Sequence, residues 1–465
     1  MNARHVLALA LVVLGAVGAE AQTRHTVPAP QRGRPRPKAH AAPKQRRKPK
    51  PKAVPAPTHA AKDTTHVVAN TARSAVAAAP EVSVTLVTFG PGDAVWERFG
   101  HNALWIHDEH TGTDVAYNWG LFDFDQPDFI KRFLSGDTKY WMGGEDAIGM
   151  VAAYHGIGRP ITLQRLNLTQ AQAESLRDFV HWNAEEENKF YRYDYFRDNC
   201  STRLRDAVDR ALDGQLRRAT DTISTALTYR SESLRLTDGD VPIQTGIDVA
   251  LGRPADVPLT QWESFFIPMR LRDGVRRVRV PTPDGGTVPL VADERTIAPT
   301  GGTPAVLEAR DPPDLLPRFL ILGLLLALLV LVLRVMMRSR RGAAWGLALV
   351  GALWSLVCGT LGTLLIYMWI ATRHVFWRSN ENLLLLSPLS LLLVVLVFAA
   401  LLRGRGVGKA RVVGVLVAAM GLVGLALALT PGGQDNLPLV ALFLPVHLAL
   451  AASLWLPLSR RTATA

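Results

Sequence analysis

Five apolar runs, at 319–333, 343–371, 383–402, 412–429 and 437–458, contain no Asp, Glu, Lys or Arg and dictate the form of the last third of the chain. Inside a bilayer no water satisfies backbone N–H and C=O groups, so such runs cross as helices, each needing about 20 apolar residues. The first run is short but extends to Met337 when Arg334 snorkels to the interface. The expectation is an α-helical membrane domain over 311–465 with five transmembrane helices. Charge then orients it. Arg334, Arg338, Arg340 and Arg341, next Arg403, Arg405, Lys409 and Arg411, and last Arg460 and Arg461 fall on one side, whereas the opposite loops hold Arg373, His374 and Arg378. The positive-inside rule puts the first set in the cytoplasm and the chain before 319 outside.

The beginning of the chain agrees. Arg4, an apolar stretch over 6–17 and Ala19-Glu20-Ala21 form the pattern of a secretory signal peptide over 1–21. Both features predict an integral membrane protein whose portion before the spans lies outside the cytoplasm. The net charge of +12 is equalled by twelve Lys and Arg residues between 24 and 62, a tract without Asp or Glu. The remainder is therefore near neutral, which excludes nucleic acid as a partner of the folded parts. Residues 22–80, rich in Pro, Ala, Lys and Arg, are expected to form a disordered basic linker. It serves either as a solvated spacer or as a contact to anionic lipid or cell-wall polymer.

Residues 81–310 have the pattern of one α+β domain. Positions 82–89 alternate with β-branched residues and predict a strand, followed by a Gly90-Pro91-Gly92-Asp93 turn. Strands are also expected from Ala103, over 115–124 and over 191–196, and helices over 127–134 and 169–182. Residues 213–310 carry weaker signals.

Of the two cysteines, Cys358 sits in an apolar run and Cys200 is exported. No disulfide framework follows, and a free thiol outside the cytoplasm risks mispairing. Leu204, Ala207, Val208, Ala211 and Leu212 recur at helical spacing after it, and Asp198 and Asn199 are N-cap types, so a helix begins at or just after Cys200. A thiol there feels the positive end of the helix dipole, with Arg197 and Arg203 adding to the field. The plain alternative is a buried structural cysteine. As a nucleophile, Cys200 needs a base. His101, at a strand entrance after Gly100, is the best placed; His107, His110, His155 and His181 are rivals. The group orienting the base stays open among Asn102, Asp108, Asp114 and Asp194. No His/Cys/carboxylate cluster has metal-ligand spacing and no glycine-rich loop precedes a helix, so neither metal nor cofactor is expected. A thiolate tethered to membrane spans works at the bilayer surface, which points to a substrate with a lipid part.

Phe99-Gly100-His101, Asn118-Trp119-Gly120-Leu121-Phe122-Asp123-Phe124, Leu166-Asn167-Leu168-Thr169 and the run from Tyr193 to Arg203 together resemble the Lnb N-terminal periplasmic domain family. Thr228-Tyr229-Arg230, Gly246-Ile247-Asp248 and Phe265-Phe266-Ile267-Pro268 look like its later landmarks, and His374 with Asn380-Glu381-Asn382 and Pro388 like its membrane signature. The resemblance implies a papain-like fold, permuted relative to NlpC-type peptidases and lecithin:retinol acyltransferase. It implies His101 as base and Cys200 as nucleophile; Asn102, Asp194, Asn199 and Arg203 are read from their positions as residues supporting them. The implied activity is lipoprotein N-acylation: a fatty acyl chain moves from a membrane phospholipid, through a thioester on Cys200, to a lipoprotein amino terminus. His374, Arg378, Asn380 and Asn382 then read as a headgroup site facing the catalytic domain, or else as interface and capping residues. Two other readings use the same residues: a cell-wall cysteine peptidase or amidase, and a non-enzymatic envelope scaffold. Oligomeric state is not legible.

Overall fold

β1 (Val82–Phe89) pairs antiparallel with β2 (His101–Asp108) on one side and β5 (Ile161–Leu166) on the other. β3 (Thr113–Leu121), β4 (Lys139–Asp146) and β6 (Phe190–Arg192) continue the sheet beyond β2. β7 (Arg279–Pro281) and β8 (Thr287–Pro289) form a separate ribbon, and β9 (Val291–Ile297) closes the far edge on β5. The seven-stranded order is β6-β4-β3-β2-β1-β5-β9. This computed structural model describes residues 81–456 apart from 124, 283, 300–310 and 312. The signal peptide expected at 1–21 and the linker at 22–80 lie outside the described residues.

The period-two pattern of β1 sorts its side chains. Val82, Val84 and Leu86 join Leu104, Ile106, Tyr117 and Trp119 on one face of the sheet. The helices covering that face are α3 (Gln170–Ala184) and α4 (Cys200–Ala211); α1 (Phe129–Ser135) and α2 (Ala147–Gly156) precede them in the chain. Leu176 and Val180 of α3 and Leu204 and Val208 of α4 complete this core. Val87, Phe89 and Ala103 point the other way and pack on Ala147 and Met150 of α2. Thr169 caps α3 by a reciprocal box with Gln172.

The strand expected over 191–196 stops at Arg192. Asp194 Oδ1 accepts from the backbone N–H groups of both Phe196 and Arg197, at 3.0 Å each, so the chain turns here instead of extending. Beyond α4 the weakly patterned region is mostly helical: α5 (Gln215–Thr220), α6 (Tyr229–Leu236), α7 (Val241–Ala250), α8 (Gln261–Ser264) and α9 (Pro268–Val275). β9, which the sequence left unread, is largely exposed at the sheet edge and lacks an apolar alternation.

The C-terminal part is helical: α10 (Leu316–Met336), α11 (Arg341–Ala371), α12 (Ser390–Arg403), α13 (Val407–Ala428) and α14 (Leu437–Trp455). Among the described residues four of these are long and apolar enough to cross a membrane, and α12 has only 14 residues. The third run, expected as one helix, is broken. Pro388 supplies no N–H and turns residue 387 away from the α region. The carbonyl of Leu385 instead accepts from His447 Nε2 of α14 at 2.9 Å. Gly362 lets α11 press on this unwound stretch, since a Cβ there would collide with the Leu386 carbonyl. Irregular backbone at membrane depth is thus enclosed by protein.

The sheet domain is fastened to the outward loops of the helices through the end of α7. Asn380 Nδ2 donates to the carbonyls of Val249 and Ala250 at 2.9 and 3.0 Å, and Asn382 Nδ2 to those of Asp248 and Val249 at 3.1 Å. These are the unpaired carbonyls every helix leaves at its C-terminus. Behind them Arg230, whose side chain is 1 % exposed, donates to Asp248, Asp256 and the Leu251 carbonyl. The landmark motifs around Arg230 and Asp248 are therefore two halves of one buried ion pair. Burial opposes the charge on Arg230, but the two carboxylates outweigh it and hold the guanidinium protonated. Arg230→Gln leaves two buried carboxylates unneutralised and is expected to cost about 3–5 kcal/mol. Thermal unfolding of the full chain in detergent checks this, and an unchanged midpoint contradicts it.

Candidate active site

The start of α4 is built before its cysteine can be of use. Asn199 accepts at Oδ1 from the N–H groups of Ser201 and Thr202, at 3.0 and 2.9 Å, and its own N–H donates to Thr202 Oγ1. Its Nδ2 donates to the carbonyls of Tyr195 and Phe266 at 2.9 Å, and Ser201 Oγ donates to that of Phe265 at 2.6 Å. The Phe265-Phe266-Ile267-Pro268 motif, whose purpose was unreadable in the sequence, is thus the bracket that seats this helix.

Cys200 is consequently held at one end of the sheet, where β2 begins and β3 ends. Gly120 makes a bulge in β3 at φ +94°, and a Cβ there would lie 3.3 Å from the Cβ of Cys200 and 3.5 Å from Cε2 of Tyr193. The thiol is 8 % exposed. Burial pushes it up to about 11, while the N–H groups of Asn102 and Ser201 and the Tyr193 hydroxyl pull toward the thiolate without prevailing. Arg203 is bound bidentately to Asp198 and lies over the Tyr191 ring, and Arg197 lies over Phe376. Neither guanidinium is engaged at the sulfur, contrary to the expectation that both would add to its field.

His101 is the first residue of β2, directly before the Asn102 N–H that reaches the sulfur. Its ring stacks beside Phe89 and Tyr154, with centroids at 6.2 and 6.3 Å. Burial, then the charge of Arg159, lower the imidazole to about 4, against the bond to Asn118. Among the described residues no hydrogen bond joins Cys200 to His101. Cys200 packs in the core on the α4 face, whereas the His101 ring lies by Phe89 and Tyr154 of the cluster on the other face; the thiol and the imidazole are both uncharged. Nε2 lies 3.3 Å from Asn118 Oδ1, and Asn118 Nδ2 donates in turn to Glu145. With Nε2–H donating, the Nδ1 lone pair is left as the basic atom.

Asn118 is therefore the partner of His101, and none of the candidates offered for that place fills it. Asn102 donates to Thr88 Oγ1 at 2.8 Å, Asp108 pairs with Arg177, Asp114 holds His107, and Asp194 folds the turn before α4. The rival His107 lies six residues along β2, about 20 Å away at the strand rise. Asn118 was quoted in the sequence only as part of a motif. An amide inside a strand pattern was the available sign, since it is an unusual residue to bury there.

Three of the four membrane-side residues expected at a headgroup site have protein partners. Asn380 and Asn382 are 2 % and 0 % exposed and spend their amides on the end of α7. His374 Nε2 lies 3.0 Å from the Phe133 carbonyl, and its ring stacks on Trp377. All three join the loops to the sheet domain, because helix-end carbonyls brought to an interface need donors.

Fold and site together define an integral membrane protein with a periplasmic α+β domain that has a buried cysteine at the start of α4 and a histidine at the start of β2. The Lnb N-terminal periplasmic domain matches residues 71–231, and the Lnb transmembrane domain matches residues 315–407. The chain belongs to this family. No curated protein and no solved structure matches it.

Burial makes a test. His101 folds with a lowered value, so its contribution to stability is present above about 6.5 and lost as pH falls toward about 4. The thiol should alkylate slowly at neutral pH, the rate still climbing beyond pH 9 toward about 11. Iodoacetamide labelling followed by mass spectrometry checks this, and a rate already level at pH 7 would reveal a preformed thiolate–imidazolium pair.

Proposed function

We propose that the protein is a membrane-bound, periplasm-facing cysteine acyltransferase that N-acylates lipoproteins through an acyl-thioester on Cys200. Residues 1–21 direct export, 22–80 act as a spacer, 81–310 carry the chemistry and 311–465 anchor it. What supports this is the burial of Cys200 at the start of α4, with the neutral imidazole of His101 at the start of β2, in a domain bonded to the outward loops of membrane helices.

The first half-reaction begins when an ester carbonyl settles against the sulfur. His101 Nδ1 takes the thiol proton as Sγ bonds to the carbonyl carbon. The N–H groups of Cys200 and Asn102 and the Tyr193 hydroxyl are available to the oxyanion. Collapse breaks the ester C–O bond, and His101 returns the proton to the departing lysolipid oxygen. In the second half the α-amine of a lipoprotein attacks the thioester carbonyl. His101 accepts the amine proton and passes it to the sulfur as the C–S bond breaks. A base with a value near 4 is neutral throughout the physiological range, so no prior ion pair is required.

The apolar surroundings favour this reading over peptidoglycan cleavage. Tyr140, Tyr191, Tyr193 and Phe122 share the cluster that contains Cys200, and such walls suit an alkyl chain more than a sugar–peptide polymer. Cys200→Ala is expected to abolish N-acylation of lipoproteins in cells, and His101→Ala to slow it by about 10²–10⁴-fold. Mass spectrometry of lipoprotein N-termini reads both. Full N-acylation by an inserted Cys200→Ala protein would refute the proposal.

A further inference from the structure

Resting on the acyltransferase reading, the aromatic side chains between the membrane surface and the thiol raise the question of how a lipid gets there. α1 sits at the outward end of α11. Arg373 N–H donates to the Ser135 carbonyl at 2.8 Å, Arg373 pairs with Asp137, and a Cβ on Gly136 would lie 3.0 Å from the His374 nitrogen. The last turns of α11 mark the bilayer boundary. Tyr367 and Trp369 are half-exposed, and Ile370 is 79 % exposed. An isoleucine so bare at the end of a spanning helix belongs in lipid, and aromatic residues collect at headgroup level. α1 therefore lies on the outer interface, and its own Ile130 is 44 % exposed.

From α1 a continuous row of rings leads inward. Phe129 stacks on Phe122 at 5.9 Å, Phe122 meets Tyr140 at 4.9 Å, and Tyr140 stacks on Tyr193 at 4.2 Å. Tyr193 reaches Cys200 across Gly120. A second branch runs from Phe133 to Tyr195 and on to Tyr193, at 6.3 and 5.3 Å. Each ring offers an apolar face of low conformational cost.

We propose that α1 and this row are the route by which the acyl chain of a bilayer phospholipid reaches Cys200. The helix receives the lipid at the interface, and Phe129, Phe122, Tyr140 and Tyr193 carry its chain past the bulge at Gly120. Burying each further methylene contributes to binding, so reactivity should rise with chain length.

The full chain in detergent, treated with p-nitrophenyl acetate and p-nitrophenyl dodecanoate, tests this through the mass added to Cys200. The wild type should react at least tenfold faster with dodecanoate, and Phe122→Ser should bring that ratio toward one. Ile130→Glu, a change at an exposed position that leaves the core alone, should lower acylation of Cys200 from phosphatidylethanolamine vesicles at least fivefold. A wild type without chain-length preference, or variants that keep wild-type ratios and vesicle rates, would overturn the route while leaving the nucleophile standing. No adduct on Cys200 with any ester would sink the acyltransferase reading as well.

Discussion

The whole arrangement hangs on the amide of Asn199. One side chain satisfies two free N–H groups at the start of α4 and two carbonyls from other segments. A cap of this kind contributes about 1–2 kcal/mol on its own. Here it also welds the cysteine turn to the Phe265–Ile267 bracket. The weld continues into the membrane part, because Phe376 of the outward loop packs on Phe196 of the cysteine turn and on Tyr229, at 4.6 and 4.7 Å. The position of the sulfur relative to the lipid surface is thus set by contiguous packing.

Burial decides the character of the site. A helix N-terminus favours a thiolate, but a dry, aromatic environment penalises any isolated charge by more. The thiol accordingly rises and the imidazole falls. An uncharged pair can accept an alkyl chain without first desolvating ions. Charge then appears only as the substrate carbonyl arrives, when the neighbouring N–H groups have something to stabilise.

Much of this was legible in the residues. The alternation of 82–89, the helical period over 169–182 and the cap before Cys200 are local signals, and local structure follows them. The apolar helical character of the last third was legible because apolar length is a property of composition. What could not be read depends on distant partners. Asn118 faces His101 only because β2 and β3 pair in one register. Asn380 and Asn382 looked like polar groups at a membrane entrance, yet they meet helix-end carbonyls contributed from 248–250. The break before α12 turns on Pro388 together with a carbonyl acceptor for His447, and the second of these is invisible to hydropathy. Arg197 and Arg203 are near Cys200 in sequence, but a helix start sends neighbouring side chains in different directions.

The most direct measurement is the intact mass of the full-length protein after incubation with phospholipid vesicles and no acceptor. The account requires a gain of one fatty acyl chain, located on Cys200 and released by neutral hydroxylamine as a thioester is. An unchanged mass, or an acyl group that hydroxylamine leaves in place or that maps to another residue, would contradict it.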